Sequence, residues 1–473
     1  MNRLVVVAIA CTVVLVGRAT LSSSQSKPTP TPPTFAKDVA PIVQKNCMSC
    51  HRDGQAAPFP LVTYDDVKKR GQLIADVTED RYMPPWHAAR AEGFPEFQDE
   101  RSLTAAQIKT LRAWVDGGMP SGDLRTMPAP PKFPEGWSLG APDLVVKLPQ
   151  PVPLAAEGRD QYRNVVIAVD LPDDKWITAI DYQPSARSIV HHALYFTSPA
   201  GVTVRDDETI PGLGLGALGR GGLGGGVGAG RGAAGAGRGG AGIGAAGEAW
   251  GGLGGWVPGA TPRFFPEGIA QPLPKHTNLV LQLHLHPSGK AESENGSIAI
   301  YFAKSTPRAS IAGVQVPPAF GVGMGIDIPA GESNFAIADS FVLPVDVDAF
   351  GVRGHAHYLA HEMKMTATLP DGSTRGLLWI KDWDFSWQDS YYYKDPIALP
   401  KGTKIDVRIT YDNSAGNPRN PSTPVRRVRW GRESFDEMGS MTLLTTTRAA
   451  GDQQILRTAT ALHLREQLLR RFR

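Results

Sequence analysis

Residues 349–372 read AFGVRGHAHYLAHEMKMTATLPDG, a run in which apolar and polar residues roughly alternate up to a Pro-Asp-Gly turn. This alternation predicts a β-strand that leads into a hairpin. On a strand, side chains two positions apart point to the same face, so His355 and His357 would form a pair of imidazoles. Two neutral imidazoles on one rigid face suit copper or zinc. For an isolated His-x-His, the alternative is two polar residues on a solvated strand face.

The length and charge of the chain limit the classes of protein to which it can belong. With 473 residues, the chain is too long for one hydrophobic core, and we expect about three domains. The formal net charge of +3 is small, and no basic stripe is interleaved with aromatic residues. A nucleic-acid partner is therefore not expected.

The N-terminus has the composition of an export signal. Residues 1–24 read MNRLVVVAIACTVVLVGRATLSSS, a short basic start followed by an apolar run and small residues. This pattern predicts a signal peptide cleaved near Ala19, and hence a periplasmic or secreted protein. The alternative is an uncleaved anchor, in which case we expect membrane contact. The apolar run is short for a helix that spans a membrane. Residues 25–33 include KPTPTPP and predict a stiff, disordered Pro-rich linker.

The three cysteines point to a cofactor rather than to a disulfide framework. Cys11 would leave with the signal peptide, so we expect no structural disulfide in the mature protein. Cys47 and Cys50 lie in CMSCH, the C-x-x-C-H sequence to which c-type haem is attached. In that chemistry both thiols bind the haem vinyl groups, and His51 is the proximal iron ligand. The alternatives are a chance match and a redox-active dithiol.

A second axial ligand of a haem c is expected in the same small domain. Met83 is the preferred candidate because it lies in MPPW, on a Pro-stiffened loop between two predicted helices. Met119 and His87 are the competing candidates. The apolar spacing of FAKDVAPIVQKN predicts one helix, and a capping box at Thr104 begins another. Residues 34–124 resemble the cytochrome c family through CMSCH and MPPW, and this resemblance implies an all-α haem domain.

The amino-acid composition changes several times along the rest of the chain. Residues 125–155 are rich in proline and predict an extended linker, and the short β-prone runs beyond it predict antiparallel sandwiches. Residues 211–259 are low in complexity and rich in glycine, which predicts a disordered surface insertion without a catalytic role. Residues 448–473 have apolar residues at helical spacing and predict a basic amphipathic helix packed on the body of the protein. Membrane contact by this helix is the alternative.

Most of the eleven histidines lie in three short clusters. The first is His191-His192, and because neighbouring strand residues face opposite ways, both would bind one ion only at an irregular strand end. The second is the same-face pair His284 and His286, in the run LQLHLH. The third is the stretch quoted first, in which His361 lies four residues beyond His357.

A methionine near the C-terminus completes the set of candidate ligands. Met438 lies in the run RESFDEMG, just before the apolar strand SMTLLTT. Its thioether is a soft ligand that favours copper(I) over zinc. A single methionine is usually a packing residue, but charged neighbours are an unusual setting for one.

The motifs His-His, Gln-x-His, His-x-His and Asp-Glu-Met, in this order, resemble those of the copper type II, ascorbate-dependent monooxygenases. This is the family of the peptidylglycine α-hydroxylating and dopamine β-monooxygenases. The resemblance implies two all-β, jelly-roll-like sandwich domains, at 156–312 and 313–447, separated by a solvent-filled cleft. It implies one copper held by His191, His192 and His284, and a catalytic copper held by His355, His357 and Met438.

Some residues depart from the family pattern. Gly439 stands where the animal enzymes have a disulfide cysteine, in keeping with the low cysteine count. His286 and His361 have no counterpart among the implied ligands and are interpreted as outer-sphere or solvated residues. Arg353 lies near the implied cleft, but the resemblance does not say what it would bind here.

These expectations combine into one fold class and one function. The fold class is multidomain: an all-α cytochrome c domain followed by two all-β jelly-roll-like domains. The function is hydroxylation of a C–H bond of a small molecule or peptide by dioxygen, with haem c and two copper ions as cofactors. Electrons would come from the haem or from a donor, which is an ascorbate-like reductant or a redox protein. The alternatives are a non-catalytic periplasmic electron-transfer or copper-handling protein, and a carbohydrate- or surface-binding sandwich with incidental histidines.

Overall fold

The computed structural model describes most of the chain outside the N-terminus and the Gly-rich region. The described residues are 32–55, 57–133, 136–199, 253–259, 261–431, 433–449 and 451–470. The predicted signal peptide lies outside them. So do nearly all of the linker predicted for 25–33 and most of the insertion predicted for 211–259.

A first β-sandwich follows the N-terminal helical region. Its strands are β1 (Leu144–Lys147), β2 (Val152–Leu154), β3 (Gln161–Ala168), β4 (Lys175–Gln183), β5 (Val190–Pro199), β6 (Gly255–Trp256), β7 (Gln271–Leu273), β8 (Thr277–Leu285), β9 (Glu292–Glu294) and β10 (Ser297–Phe302). They form antiparallel sheets in the orders β1-β10-β4-β7 and β3-β8-β5-β6, with β2 paired to β9. Ile177 and Ile300 of one sheet share a fully buried core with Leu279 and Leu283 of the other. The apolar side chains that alternate along these strands therefore meet between the two sheets.

A second β-sandwich has the same layout. Its strands are β11 (Ile311–Val316), β12 (Asp327–Ile328), β13 (Phe335–Val342), β14 (Val347–Ala356), β15 (Ala360–Thr368), β16 (Thr374–Ile380), β17 (Ser390–Leu399), β18 (Lys404–Tyr411), β19 (Val428–Arg429) and β20 (Gly439–Thr447). The antiparallel sheets are ordered β11-β20-β14-β17 and β13-β18-β15-β16, and β12 pairs with β19. Val352 and Leu443 face Met363 and Ile409 across this core. The stretch quoted first spans β14 and β15, which lie in different sheets.

The predicted fold class is wrong, because the N-terminal region is not an all-α cytochrome c-like domain. Helices make up 17% of the described residues and strands 35%. The helical elements are short: a π-helical turn (Phe35–Val39) that continues into α1 (Ala40–Asn46), then α2 (Tyr64–Lys69), α3 (Gly71–Glu79) and α4 (Ala105–Asp116). The capping box predicted at Thr104 is confirmed, since its hydroxyl accepts from the Gln107 backbone N–H.

The residues between α3 and α4 explain the error. Residues 80–104 form no helix and run along the second sandwich, where Ala88 pairs with Ile380 and Phe97 pairs with Tyr393. Ala88 and Phe97 are buried in the core of that sandwich. Closely spaced prolines keep this stretch out of a helix, and its aromatic side chains are buried against a sheet instead.

The C-terminal residues form a helix, α5 (Asp452–Arg470). Leu456 is buried in the core of the second sandwich, and His463 Nε2 lies 2.8 Å from Asp339 of β13. The helix thus packs on the body of the protein. Among the described residues, none of the helices has the length and apolar character needed to cross a membrane.

Candidate metal centre

Three histidines of the first sandwich meet at one end of the sheet β3-β8-β5-β6. His284 lies on β8, and its cross-strand partners are Tyr162 on β3 and His192 on β5. The pairing shifts between Val190 and His192, so His191 is the extra residue of a β-bulge. A bulge changes the direction of the side chain that it carries. It brings His191 to the same side as His192, which a regular strand would not do.

The ligand nitrogens of these three histidines converge. The Nδ1 atom of His192 lies 3.3 Å from His191 Nδ1 and 3.4 Å from His284 Nδ1. Three nitrogens bound about 2.0–2.1 Å from one ion at tetrahedral to trigonal angles lie about 3.3–3.6 Å apart. A proton on His192 Nδ1 could form a hydrogen bond to only one of these two nitrogens, so hydrogen bonding alone does not account for both short distances. The spacing therefore matches a site for one metal ion, and all the ligand atoms lie within 4.8 Å of one another.

Asp160 fixes which nitrogen of His284 carries the proton. Its carboxylate oxygens lie 2.8 Å from His284 Nε2 and 2.7 Å from His286 Nδ1. A carboxylate accepts, so His284 carries its proton on Nε2 and its Nδ1 lone pair is free for a metal. The ring of Tyr162 stacks on His284 at 4.3 Å and sets the plane of the imidazole.

Burial keeps these imidazoles neutral. It lowers the pKa of His191 to about 3, and it holds the pKa of His192 well below the usual range. Burial also lowers the pKa of His284, although Asp160 opposes the effect. Burial of Asp160 acts to raise the pKa of its carboxyl, but the hydrogen bonds from His284 and His286 outweigh it, so that pKa falls below its ordinary value. Neutral imidazole is the form that binds a metal.

The second candidate set lies at the end of β14. His355 Nδ1 lies 2.6 Å from Gln388 Oε1, and His357 Nδ1 lies 3.2 Å from the Asp436 carbonyl oxygen. Both partners accept, so both imidazoles carry their proton on Nδ1, and Nε2 is the nitrogen suited to a metal. Burial holds the pKa of His355 well below its usual range and lowers that of His357 to about 4.

Glu437 joins the segment that carries Met438 to the segment that carries His357. Its buried carboxyl accepts from the backbone N–H groups of His357 at 2.6 Å, Met438 at 2.8 Å and Leu359 at 2.9 Å. Burial raises the pKa of Glu437 to about 8, against the lowering effect of these donors. One side chain therefore holds the backbones of two implied ligands in place.

The side chain of Met438 is buried in a small apolar cluster between the two sandwiches. It packs with Phe196 and Val280 of the first sandwich and with Phe320 of the second. The ring of Phe320 lies 5.1 Å from that of His355, so the cluster adjoins the second histidine set. Met438 thus has both a packing role and a place near the implied ligands.

Phe385 lies between the two histidine sets. Its ring stacks on His191 at 5.0 Å and meets His357 edge-on at 5.7 Å. The side chain is 3% exposed. The family resemblance implies a solvent-filled cleft, but in this structure a buried ring contacts both sets.

The residues of the C-x-x-C-H motif suit a haem in their chemistry. Cys47 and Cys50 are free thiols, and burial raises the pKa of Cys47 to about 12. His51 Nδ1 lies 3.1 Å from the Phe59 carbonyl oxygen, so Nδ1 carries the proton and Nε2 is left for an iron ligand bond. These are the residue types that covalent attachment and proximal ligation of a haem use.

The three candidates for the second axial ligand lie in different surroundings. Met119 packs against the apolar cluster of the helical region, as does Cys47. Met83 is not part of that cluster in the described residues, and its backbone N–H donates to the Val77 carbonyl. His87 lies against the second sandwich, where burial lowers its pKa and Asp384 opposes the effect. Met83 stays the predicted second axial ligand, with Met119 and His87 as the alternatives.

The other histidines lie outside both sets. The His286 side chain is 60% exposed and reaches Asp160, which it shares with His284. The His361 side chain is also 60% exposed, with Nδ1 at 4.0 Å from Asp382. His276 occupies a turn with φ of 57°.

The residues that orient the histidines carry no motif of their own. Asp160, Gln388 and Phe385 lie far in sequence from the imidazoles they contact, and Glu437 lies far from His357, from whose backbone N–H it accepts a hydrogen bond. The one signal in the sequence was Glu437, an acid next to the implied ligand Met438 in Asp-Glu-Met. That signal did not indicate which groups Glu437 would bind.

A cavity of about 470 Å³ lies beside the centre. Its walls include Ser49 of the C-x-x-C-H motif, His192 of the first set and Gln388, which contacts His355. The motif, the first histidine set and the loop behind the second set therefore border the same space.

Comparisons with known proteins add no assignment. No family model matches the chain, and no curated protein matches it. Among solved structures, the Gx strain of infectious bursal disease virus matches at 10% identity and a TM-score of 0.19, over 67% of this chain and 75% of that one. A VP2 subviral particle of the virus matches at 11% identity and a TM-score of 0.18, over 63% of this chain and 58% of that one. A Paenibacillus xanthan lyase matches at 10% identity and a TM-score of 0.16, over 67% of this chain and 27% of that one. These likenesses carry no argument about fold or function.

Proposed function

We propose that this chain is an exported copper-dependent monooxygenase that hydroxylates a C–H bond of a small molecule or peptide with dioxygen. The main support is the convergence of the Nδ1 atoms of His191, His192 and His284 at the spacing of a three-nitrogen metal site. Imidazole ligands suit copper and zinc, and a thioether near the second set favours copper.

Two sets of side chains would each hold one metal ion. His191, His192 and His284 would hold one copper, and His355, His357 and Met438 the other. Copper supplies one-electron redox chemistry and the activation of dioxygen. Hydroxylation consumes one dioxygen, two electrons and two protons, and it yields the hydroxylated product and one water.

The remaining residues prepare these ligands. Asp160 keeps the proton of His284 on Nε2, and Gln388 keeps that of His355 on Nδ1. Phe385 and the apolar cluster around Met438 exclude water from the space between the sets. Exclusion of water strengthens the electrostatic interactions inside such a site.

The electron supply is the second part of the proposal. Cys47, Cys50 and His51 would hold a haem c, with Met83 as the predicted second axial ligand and Met119 as the alternative. Ser49 of the motif and His192 of the first set line the same cavity, so the motif and this set border one space. A small reductant or a redox protein would replace or supplement the haem.

Elemental analysis tests the proposal first. Purified, matured protein is expected to hold two coppers and one iron per chain. His192→Ala and His357→Ala should each lose one copper, whereas His361→Ala, an exposed matched control, should keep both. A chain without copper after reconstitution would contradict the proposal. With two coppers present, incorporation of ¹⁸O from ¹⁸O₂ into candidate substrates then tests hydroxylation.

A second function, copper handling or electron transfer without oxygenation, is favoured by one observation. Phe385 fills the space between the two sets, where a substrate would need room. This alternative predicts copper and haem, reversible redox behaviour and no ¹⁸O-labelled product.

A further inference from the structure

The guanidinium of Arg101 lies where three distant parts of the chain meet. Its Nη1 donates to the Gly259 carbonyl at 3.2 Å, and its Nη2 donates to the Asp389 carboxylate. Its Cζ lies 5.8 Å from the centre of the Trp86 ring. The side chains of Arg101 and Asp389 are 24% and 22% exposed, so this ion pair is largely shielded from solvent.

The Asp389 end of this contact leads to the second histidine set. Ser390 of β17 pairs with Arg353 of β14. Because the strands are antiparallel, continuing the register by two residues places Gln388 opposite His355. Gln388 Nε2 donates to the Phe385 carbonyl at 3.3 Å, which turns Oε1 toward His355 Nδ1 at 2.6 Å. Gln388, which accepts from His355 Nδ1, is thus the chain neighbour of Asp389, the residue that Arg101 binds.

The Gly259 end leads to the C-x-x-C-H motif. Gly259 has a φ of +77°, and a Cβ built there would lie 3.1 Å from Cys50 Sγ. The backbone that accepts from Arg101 is thus packed against one of the two motif thiols.

We propose that Arg101 is a positioning residue that couples the Cys47–His51 segment to His355, by holding Asp389 and Gln388 so that His355 presents Nε2. The metal affinity of the second set then depends on a residue from the N-terminal region. This inference rests on the proposed function for the presence of a metal, but the His355 tautomer exists without one.

The first test measures copper(I) affinity by competition with a chromogenic chelator in the full chain. In a His192→Ala background, which leaves only the second set intact, Arg101→Ala is expected to weaken binding about 10- to 100-fold, the usual effect of losing an outer-sphere partner. Arg101→Lys should weaken it less. Arg90→Ala is the matched control, because Arg90 pairs with Glu100 in the same segment and its side chain is 65% exposed.

The second test needs no metal. Selective ¹⁵N-histidine labelling of the apo protein, with the His355 signals assigned by His355→Gln, reports which ring nitrogen is protonated. The intact chain should show Nδ1–H, and Arg101→Ala should show a mixture of tautomers.

The outcomes separate this inference from the proposed function. An unchanged tautomer in Arg101→Ala overturns the coupling, and so does equal loss of copper affinity in Arg101→Ala and Arg90→Ala. If His192→Ala binds no copper while the tautomer shifts as expected, the two-copper function fails and the positioning role of Arg101 stands.

Discussion

Asp160 is the residue on which the orientation of His284 depends. Asp160→Asn removes the anionic acceptor, so His284 is no longer held with its proton on Nε2. We expect about a 10-fold or greater loss of metal affinity at the first set, measured by chelator competition. Asp143→Asn is the control, because Asp143 accepts from the Phe302 backbone N–H at the opposite sheet of the sandwich. Equal affinities in both variants would contradict the role of Asp160.

Glu437 makes a different prediction, about stability. Glu437→Ala leaves the backbone N–H groups of His357, Leu359 and Met438 without their buried acceptor. Each unsatisfied buried donor costs about 1–3 kcal/mol, so the free energy of unfolding should fall by about 3 kcal/mol or more in a denaturant titration. Glu433→Ala, an exposed acid of the same loop, should change it by less than about 0.5 kcal/mol. A small effect of Glu437→Ala would mean that water replaces the carboxyl.

At the scale of elements, the bulge at the start of β5 has the clearest functional consequence. A regular strand would direct His191 and His192 to opposite faces. The extra residue in β5 places both imidazoles beside His284. The requirement for an irregular strand end follows from the His-His pair alone, whereas the pairing that produces the bulge involves β8, more than eighty residues away.

The C-terminal helix α5 allows a matched comparison of two leucines. Leu456 is 1% exposed and packs in the core of the second sandwich, whereas Leu462 is 51% exposed. Leu456→Ala is expected to lower the free energy of unfolding by about 2–5 kcal/mol. Leu462→Ala should lower it by no more than about 0.5 kcal/mol. Similar losses would show that the helix is not docked in solution.

For the whole molecule, the buried histidines predict an acid-sensitive apo protein. The folded pKa values of His191 and His357, about 3 and about 4, lie below the usual 6.5. The unfolded state therefore binds more protons than the folded state between pH 6.5 and 4, and stability is lost as the pH falls through this range. Each such proton contributes a slope of about 1.4 kcal/mol per pH unit.

Denaturant titrations of the metal-free protein at several pH values measure this dependence. His357→Gln should have a shallower slope than the intact chain, because one titrating group is lost. His361→Gln, which removes an exposed histidine, should keep the original slope. Equal slopes in the intact chain and in His357→Gln would contradict the burial of His357 as a neutral imidazole.

The N-terminal region shows where reasoning from local patterns fails. Helices at α1 and α4 follow from apolar spacing and from the capping box at Thr104. The inference of a separate all-α domain fails because residues 80–104 bury Ala88 and Phe97 in the second sandwich. That contact joins segments almost three hundred residues apart, and no local periodicity encodes it.

Local sequence specifies the chemistry that is present: imidazole pairs on strand-forming runs, a C-x-x-C-H motif and the capping signals of helices. These are local properties, set by side-chain type and by the period of the backbone. The tertiary structure decided which groups meet. It placed His191, His192 and His284 around one point, brought Asp160 and Gln388 to their imidazoles, and set Phe385 between the two sets. Such contacts depend on how two sandwiches and an irregular segment pack together, because burial of apolar surface acts between distant parts of a chain.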